Sequence, residues 1–332
     1  MTTLARGPWH DDRLHVPRTV AAIAGRAHFA CVLEASAPKP GNVSPGRPFA
    51  DMRYEDFLAS AEAIARPLLG VGARALGETI LLAVEATVAR TRVNTNLGIV
   101  LLLTPLARAA AGLLQLPVPP GRAERLRLLR SHTEHLLGET TVDDARNVYR
   151  AIRLANPGGL GSAEEQDVSS EPTVTLLEAM QLASDRDGIA REYAAGYETT
   201  FERAVPALLR GRADGLLLSD AIVETFLTLV ASRPDTHIAR RGGEDRARHV
   251  SSMAAEALAL GGVRTDAGRT GVAAMDVALR DSRNLGNPGT SADLTAAALF
   301  AALLVGGWSL GPLDGLVTVA DAARYDERSE ES

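Results

Sequence analysis

Residues 97–114 read Leu97-Gly-Ile-Val-Leu-Leu-Leu-Thr-Pro-Leu-Ala-Arg-Ala-Ala-Ala-Gly-Leu-Leu114. Apolar side chains return at intervals of three and four, the period of a helix that buries one face. The same spacing recurs on both sides, over residues 19–35, 53–68, 73–90, 122–137, 141–155, 173–184, 188–209, 216–231, 244–260, 266–281 and 291–305. No run alternates apolar and polar residues as a half-buried strand does, and no Asn-Gly or Asp-Gly pair joins two alternating runs. Aromatics make up only 4% of the chain, and scarce aromatic and β-branched residues favour helix over strand. The expected fold is all-α, about a dozen helices in one domain over residues 18–310. Residues 1–17 are expected to be a disordered start and residues 311–332 a polar tail. The best interior break, Leu116-Pro-Val-Pro-Pro-Gly121, is short and its flanks read alike, so it is expected to be a loop within that domain.

With 332 residues, 46% of them hydrophobic, the chain can bury a large core without disulfides or structural metals. Its one cysteine, Cys31, allows no disulfide framework and no cysteine-based zinc site, which suits a reducing cytoplasm. The N-terminus carries Trp9, His10, Asp11 and Asp12 in place of an apolar signal core. The longest apolar stretches, Leu97–Leu106 and Leu294–Val305, fall short of the roughly 20 residues that span a bilayer. A net charge of −6 and a pI near 5.7 argue against a nucleic-acid partner. A homo-oligomer is compatible with all of this. Of 35 basic residues a single one, Lys39, is lysine. A Walker phosphate loop, a protein-kinase strand lysine and a Ser-x-x-Lys hydrolase are therefore excluded.

Small polar and turn-forming residues concentrate in four loops: Glu34–Val43 leading on to Asp51, Asn94–Gly98, Asn156–Gly161 leading on to Gln166-Asp167, and Asn284–Asp293. Six of seven asparagines lie there, and loops on a rigid frame are where binding groups collect, although the same residues serve plain turns. In Pro38-Lys39-Pro40-Gly41-Asn42 two prolines stiffen the chain around the lysine, so a compact ammonium there is expected to meet phosphate. Asn94-Thr95-Asn96 and Asn287-Pro288-Gly289-Thr290-Ser291 precede apolar runs and can cap helices whose free N–H groups attract anions. The carboxylates at loop or helix edges are Glu34, Asp51, Asp167, Asp187, Asp235 and Asp293, among which metal ligands or acid–base groups are sought. His132 and His135 lack metal-site spacing and read as surface residues. His237 crowds with Asp235, Arg240 and Arg241 in one stretch that could serve an anionic ligand.

The segments Glu34–Val43, Asp51–Ser60, Asn94-Thr-Asn-Leu-Gly98 and Asn287-Pro-Gly-Thr-Ser-Ala-Asp293 resemble the triphosphoribosyl-dephospho-coenzyme A synthase family, over residues 20–306. Its well-studied members continue Asn-Thr-His-Lys-Gly, whereas this chain is similar to a branch reading Asn-Thr-Asn96-Leu97-Gly98 that also carries Asn156-Pro-Gly-Gly-Leu-Gly161, Asp185-Arg-Asp-Gly-Ile-Ala-Arg191 and Asp235-Thr-His-Ile238. The resemblance implies an all-α enzyme that attacks the anomeric carbon of ATP with a hydroxyl of dephospho-coenzyme A or a related coenzyme-like acceptor, releasing adenine. Cleaving a ribosyl–nitrogen bond develops a cationic sugar that one carboxylate stabilises while another takes the acceptor's proton. Glu34, Lys39 and Asp51 are the expected catalytic residues. Lys39, Asn42, Asn94, Thr95, Asn96, Gly98, Asn287, Gly289, Thr290 and Ser291 are expected to hold the nucleotide, and Asp167, Asp235 and Asp293 a Mg²⁺ ion. Two alternatives remain, a magnesium-dependent glycohydrolase of ADP-ribosyl bonds and a helical scaffold with no catalysis.

Overall fold

One helix, Gly289–Val305, organises the rest. Every residue of it except Gly289 and Asp293 is buried, so the chain wraps it on all sides. In the computed structural model, which describes residues 15–91, 93–281 and 283–308, the helices are α1 (Val20–Ser36), α2 (Tyr54–Leu68), α3 (Leu76–Arg90), α4 (Leu97–Gly112), α5 (Arg122–Gly138), α6 (Val142–Ala155) and α7 (Leu176–Ala183). They continue with α8 (Gly188–Ala194), α9 (Val205–Ala213), α10 (Leu218–Ser232), α11 (Thr236–Gly242), α12 (Glu244–Ala259), α13 (Asp266–Leu279) and the central α14 (Gly289–Val305). Among the described residues there are fourteen α-helices and no strand, and the fold is all-α in one globular domain. The expected disordered start and polar tail lie outside the described residues, except for residues 15–17.

Helices α1, α4, α5 and α10 pack directly on α14. The last turn of α14 ends among basic side chains: Arg26 donates to Leu303 O at 2.9 Å and Arg125 to Val305 O at 2.6 Å, which satisfies carbonyls that a helix end leaves open. In α4, Pro105 has no N–H for the carbonyl of Leu101. The buried Tyr193 hydroxyl donates to that carbonyl at 2.6 Å, and Tyr197 donates to Leu102 O at 2.8 Å. Burial pushes both phenols well above their ordinary range, so they act as neutral donors.

Three expectations need correction. The segment 188–209 is not one helix. Gly196 and Tyr197 both take left-handed backbone with φ of 58°, and the chain restarts in π-turns over Thr199–Ala204 before α9. The fully buried Glu192 holds the restart, accepting from the amides of Thr199 and Thr200 and from the Thr200 hydroxyl. Apolar spacing does not register a two-residue break of this kind. Second, α11 forms within a stretch given no helix. It is seven residues long and is set by its cap, the Asp235 carboxylate on the amides of His237 and Ile238. Third, the apolar run from Leu97 is longer than about a dozen residues: with a closing 3₁₀ turn it reaches Gln115, a 19-residue helical run long and apolar enough by composition to cross a membrane. Its apolarity is used in the core, where α1, α3, α5 and α14 cover it.

Candidate functional site

The C-terminal end of α1 and the first turns of α4, α8, α11 and α14 converge on a cavity of about 420 Å³, within the size range of small-molecule sites. The loop from Asn156 to Val168 closes its far side. That loop is pinned by Tyr149, whose hydroxyl donates to Gln166 O at 2.6 Å, and by Asp167, which accepts from the Ala163 amide at 2.6 Å and from the amide and hydroxyl of Ser169 at 2.9 and 2.6 Å. Those bonds, led by the Ser169 hydroxyl, hold the Asp167 carboxyl at about 2.

Of the residues expected from sequence, Glu34, Asn42, Asp51, Asn94, Thr95, Asn96, Gly98, Asp167, Asn287, Gly289, Thr290 and Asp293 line this one cavity. Lys39, Asp235 and Ser291 do not. Lys39 is buried, and its ammonium turns back onto the end of α1, 2.9 Å from Glu34 Oε1 and bonded to the carbonyl oxygen of Glu34. In this arrangement the ammonium is the counter-charge of Glu34 and does not line the cavity where a phosphate was expected to meet it. Asp235 Oδ1 accepts from the amides of His237 and Ile238, and Oδ2 accepts from the amide and hydroxyl of Ser291 at 2.7 and 2.8 Å. The first turn of α14 thus already carries an anion, the protein's own carboxylate, and neither Asp235 nor Ser291 stands where it was expected to work. Asp51 is exposed on the rim, with its Oδ1 bound by Asn284 at 3.2 Å.

The start of α4 is tied inward as well. Asn94 Oδ1 accepts from the Leu97 amide, the Thr95 and Ser60 hydroxyls share a hydrogen bond, and Asn96 donates to Ser60 O at 3.3 Å. Gly98 lies directly against the carboxylate of Asp293, and a Cβ at that position would collide with it. Here the sequence and the geometry coincide, because only glycine lets the acid approach the helix start so closely.

Asp293 is the one charged residue of α14. Among the described residues it accepts no hydrogen bond, unlike the other acids at this level. Burial and then the charge of Glu34 push its carboxyl well above the usual range. From α11, Arg240 reaches Asp187 at 3.4 Å, and Arg241 donates to His237 Nε2 at 3.2 Å and to the carbonyls of Asn284 and Arg283. His237 is held neutral, its imidazole lowered to about 3 by burial and by Arg240 and Arg241. Since Nε2 accepts from a guanidinium, Nδ1 carries the proton, and it lies against Gly289, where a Cβ would meet it. Arg186 stands at the mouth. Two buried polar atoms on this lining, Arg240 Nε and Asn287 Oδ1, have no hydrogen-bond partner, as in a site that awaits polar ligand atoms.

The sequence assigns no role to Arg186, but it marks Arg240 and Arg241, with His237 and Asp235, as a stretch that could serve an anionic ligand, and the structure sets both arginines on the cavity lining. The signal was the string Asp235-Thr-His-Ile-Ala-Arg-Arg241, whose acid fixes α11 while its arginines face the cavity. The three expected metal ligands do not converge. Asp235 is consumed by the α11–α14 junction and Asp167 by its own loop, and among the described residues no three His, Cys, Asp or Glu side chains form a metal cluster.

Fold and cavity together define an all-helical protein, over the described residues, whose cavity is lined by acids from α1 and α14 and by arginines from α11. The chain belongs to the ATP:dephospho-CoA triphosphoribosyl transferase (CitG) family, whose model matches residues 20–311. It is similar to the 2-(5''-triphosphoribosyl)-3'-dephosphocoenzyme-A synthase of Pectobacterium atrosepticum, 37% identical over 122 residues, which is 37% of this chain and 38% of that one. A Pectobacterium carotovorum protein provisionally given the same name is 38% identical over 109 residues, 33% of this chain and 34% of its own. The aligned parts therefore span little more than a third of these curated relatives. A crystal structure from Archaeoglobus fulgidus, provisionally named a triphosphoribosyl-dephospho-coA synthase, superposes with a TM-score of 0.56 at 27% identity, covering 76% of this chain and 99% of the other.

Proposed function

We propose that this protein transfers the triphosphoribosyl group of ATP to a hydroxyl of dephospho-coenzyme A or a closely related acceptor, with release of adenine. The observation that carries the reading is one cavity whose lining brings Glu34 and Asp293 together with Arg186, Arg240 and Arg241. The arginines suit the triphosphate, whose charges match their planar forks. The two carboxylates suit the sugar. As the bond from ribose C1′ to the adenine nitrogen breaks, positive charge grows on the ring, and Glu34, fixed by Lys39, stabilises it. The acceptor oxygen bonds to C1′ and its proton passes to Asp293, whose raised proton affinity suits a general base. Adenine leaves with the bonding electron pair.

Among the described residues no three His, Cys, Asp or Glu side chains cluster, so a Mg²⁺ ion would be held chiefly by the phosphate oxygens of the substrate, leaving Asp293 free to act as the base. Such an ion would neutralise part of the triphosphate charge. The Asn96-Leu97-Gly98 variant sits on the cavity lining, and we assign to it a role in choosing the acceptor. The reading also includes a cytoplasmic protein that acts without membrane or nucleic acid. Incubation with Mg²⁺, dephospho-coenzyme A and ATP labelled at its terminal phosphate tests the proposal. Free adenine without labelled inorganic phosphate supports it; labelled phosphate without adenine overturns it.

A further inference from the structure

Behind the wall made by the starts of α8, α11 and α14 lies a second cavity of about 90 Å³, the space of several water molecules. Three arginines border it, Arg191, Arg203 and Arg233, together with Thr199, Ser232 and Thr236. Two carboxylates also reach its lining. Asp235 has all its acceptor capacity taken by the α11 amides and Ser291, which leaves Glu198 as the one acid whose oxygens are not bound among the described residues. Arg203 and Arg233 make no ion pair or hydrogen bond among the described residues, and Arg191 donates only to a backbone oxygen, Asp185 O, at 2.9 Å. Burial of Arg191 and the nearby charge of Arg233 weaken its hold on its proton, while Asp187, Asp185 and Glu192 act the other way. Elsewhere exposed arginines of this protein pair with acids, as Arg246, Arg248 and Arg269 do. Arg203 and Arg233, without partners among the described residues and beside a cavity lined by the hydroxyls of Thr199, Ser232 and Thr236, are the charges that a small multivalent anion would pair.

We propose that this second cavity binds a phosphate-type oxyanion, gripped by Arg203 and Arg233 with Arg191 as the third cation. The cavity is separate from the larger one but shares a wall with it: Thr290 lines both, and its hydroxyl is 3.0 Å from that of Thr236, which in turn accepts from the Gly188 amide at 3.0 Å. An anion on this side therefore bears on the residues that shape the other. The oxyanion has two sources, free inorganic phosphate or a phosphate group of the acceptor coenzyme. The site itself stands without the transferase reading.

Calorimetric titration with inorganic phosphate tests it on three proteins: the wild type, the double variant Arg203→Gln/Arg233→Gln, and Arg240→Gln/Arg241→Gln as a control for the larger cavity. Both members of the first pair are exposed, so the variant folds, which a thermal melt confirms. The expected result is phosphate binding in the wild type that falls about tenfold or more in the first variant, the scale of losing charged hydrogen bonds, and persists in the second. Unchanged affinity in Arg203→Gln/Arg233→Gln, or no phosphate binding by the wild type at millimolar concentration, overturns the proposal. Competition by dephospho-coenzyme A assigns the oxyanion to that molecule's phosphates, and binding indifferent to it assigns the site to free phosphate; either supports the site. Failure of adenine release leaves all these readouts in place, so the two proposals fall separately.

Discussion

Asp235 and Asp293 lie on adjoining helix starts, and burial raises the proton affinity of both, yet their surroundings differ completely. Asp235 receives four donors: two amides of α11, then the amide and the hydroxyl of Ser291 in α14. Asp293, two residues beyond Ser291, receives none among the described residues and faces the cavity, pressed against Gly98 and repelled by Glu34. The first carboxylate joins two helices; the second, with the charge of Arg240 to offset it but no hydrogen bond among the described residues, lies where a ligand can reach it. Burial and acidity alone do not mark a functional acid. What marks it is the missing set of partners, because a fold that buries a charge without satisfying it leaves that interaction to something else.

Breaking the charges that serve structure should cost the most. Replacing Lys39 with methionine leaves Glu34 buried without its counter-charge, and we expect about 3 kcal/mol of lost stability in urea denaturation. A loss below about 1 kcal/mol would mean that the ammonium is not the counter-charge of Glu34.

Next comes the direct contrast between the two aspartates. Asp235→Asn keeps the shape but exchanges an acceptor oxygen for a donor against the amides of α11 and α14, at about 2 kcal/mol. Asp293→Asn removes a buried carboxyl that accepts no hydrogen bond among the described residues, so its stability should equal or exceed that of the wild type. Equal losses in the two variants would erase the distinction.

Gly98→Ala sharpens the comparison from the other side by pushing a methyl group into the Asp293 carboxylate. It should cost about 1–2 kcal/mol, and part of that cost should disappear when the same change is made with Asp293→Ala. A cost unaffected by Asp293→Ala would mean that the glycine serves backbone conformation alone.

The smallest effect is expected in acid. His237 in the folded protein stays neutral down to about pH 3, whereas the unfolded side chain takes a proton near 6.5. Between those values the unfolded state binds more protons, so His237 contributes stability above 6.5 that is lost as pH falls through the window toward 3. Melting temperatures from pH 7 to pH 4 should therefore fall less steeply in His237→Gln than in the wild type. Parallel curves would show that the imidazole is not held neutral.

Much of this architecture is legible in the sequence. The three-and-four spacing marks nearly every long helix, and four Asn- and Gly-rich loops meet at one cavity because they all sit at helix ends facing α14. Chemistry inside those loops is harder to read. Lys39 between two prolines reads as aimed outward, but nothing local tells that the turn folds it back on Glu34, five residues earlier. Ser291 reads as an anion-binding helix start, and it is one, but the anion comes from Asp235, 56 residues away. Arginines are so common in this chain that Arg186 does not stand out, whereas Arg240 and Arg241 are marked by the acid and imidazole beside them, although α11 is too short for periodicity to detect.

The most direct test of the account is the rate of adenine release from Mg-ATP and dephospho-coenzyme A, measured side by side for the wild type, Asp293→Asn and Asp235→Asn at a temperature where all three are folded. The account predicts that Asp293→Asn loses roughly a hundredfold or more in kcat, the scale of removing a general base, with its melting temperature undiminished. Asp235→Asn should melt earlier and, while folded, turn over close to the wild-type rate. A variant Asp293→Asn that releases adenine at the wild-type rate would contradict the central claim.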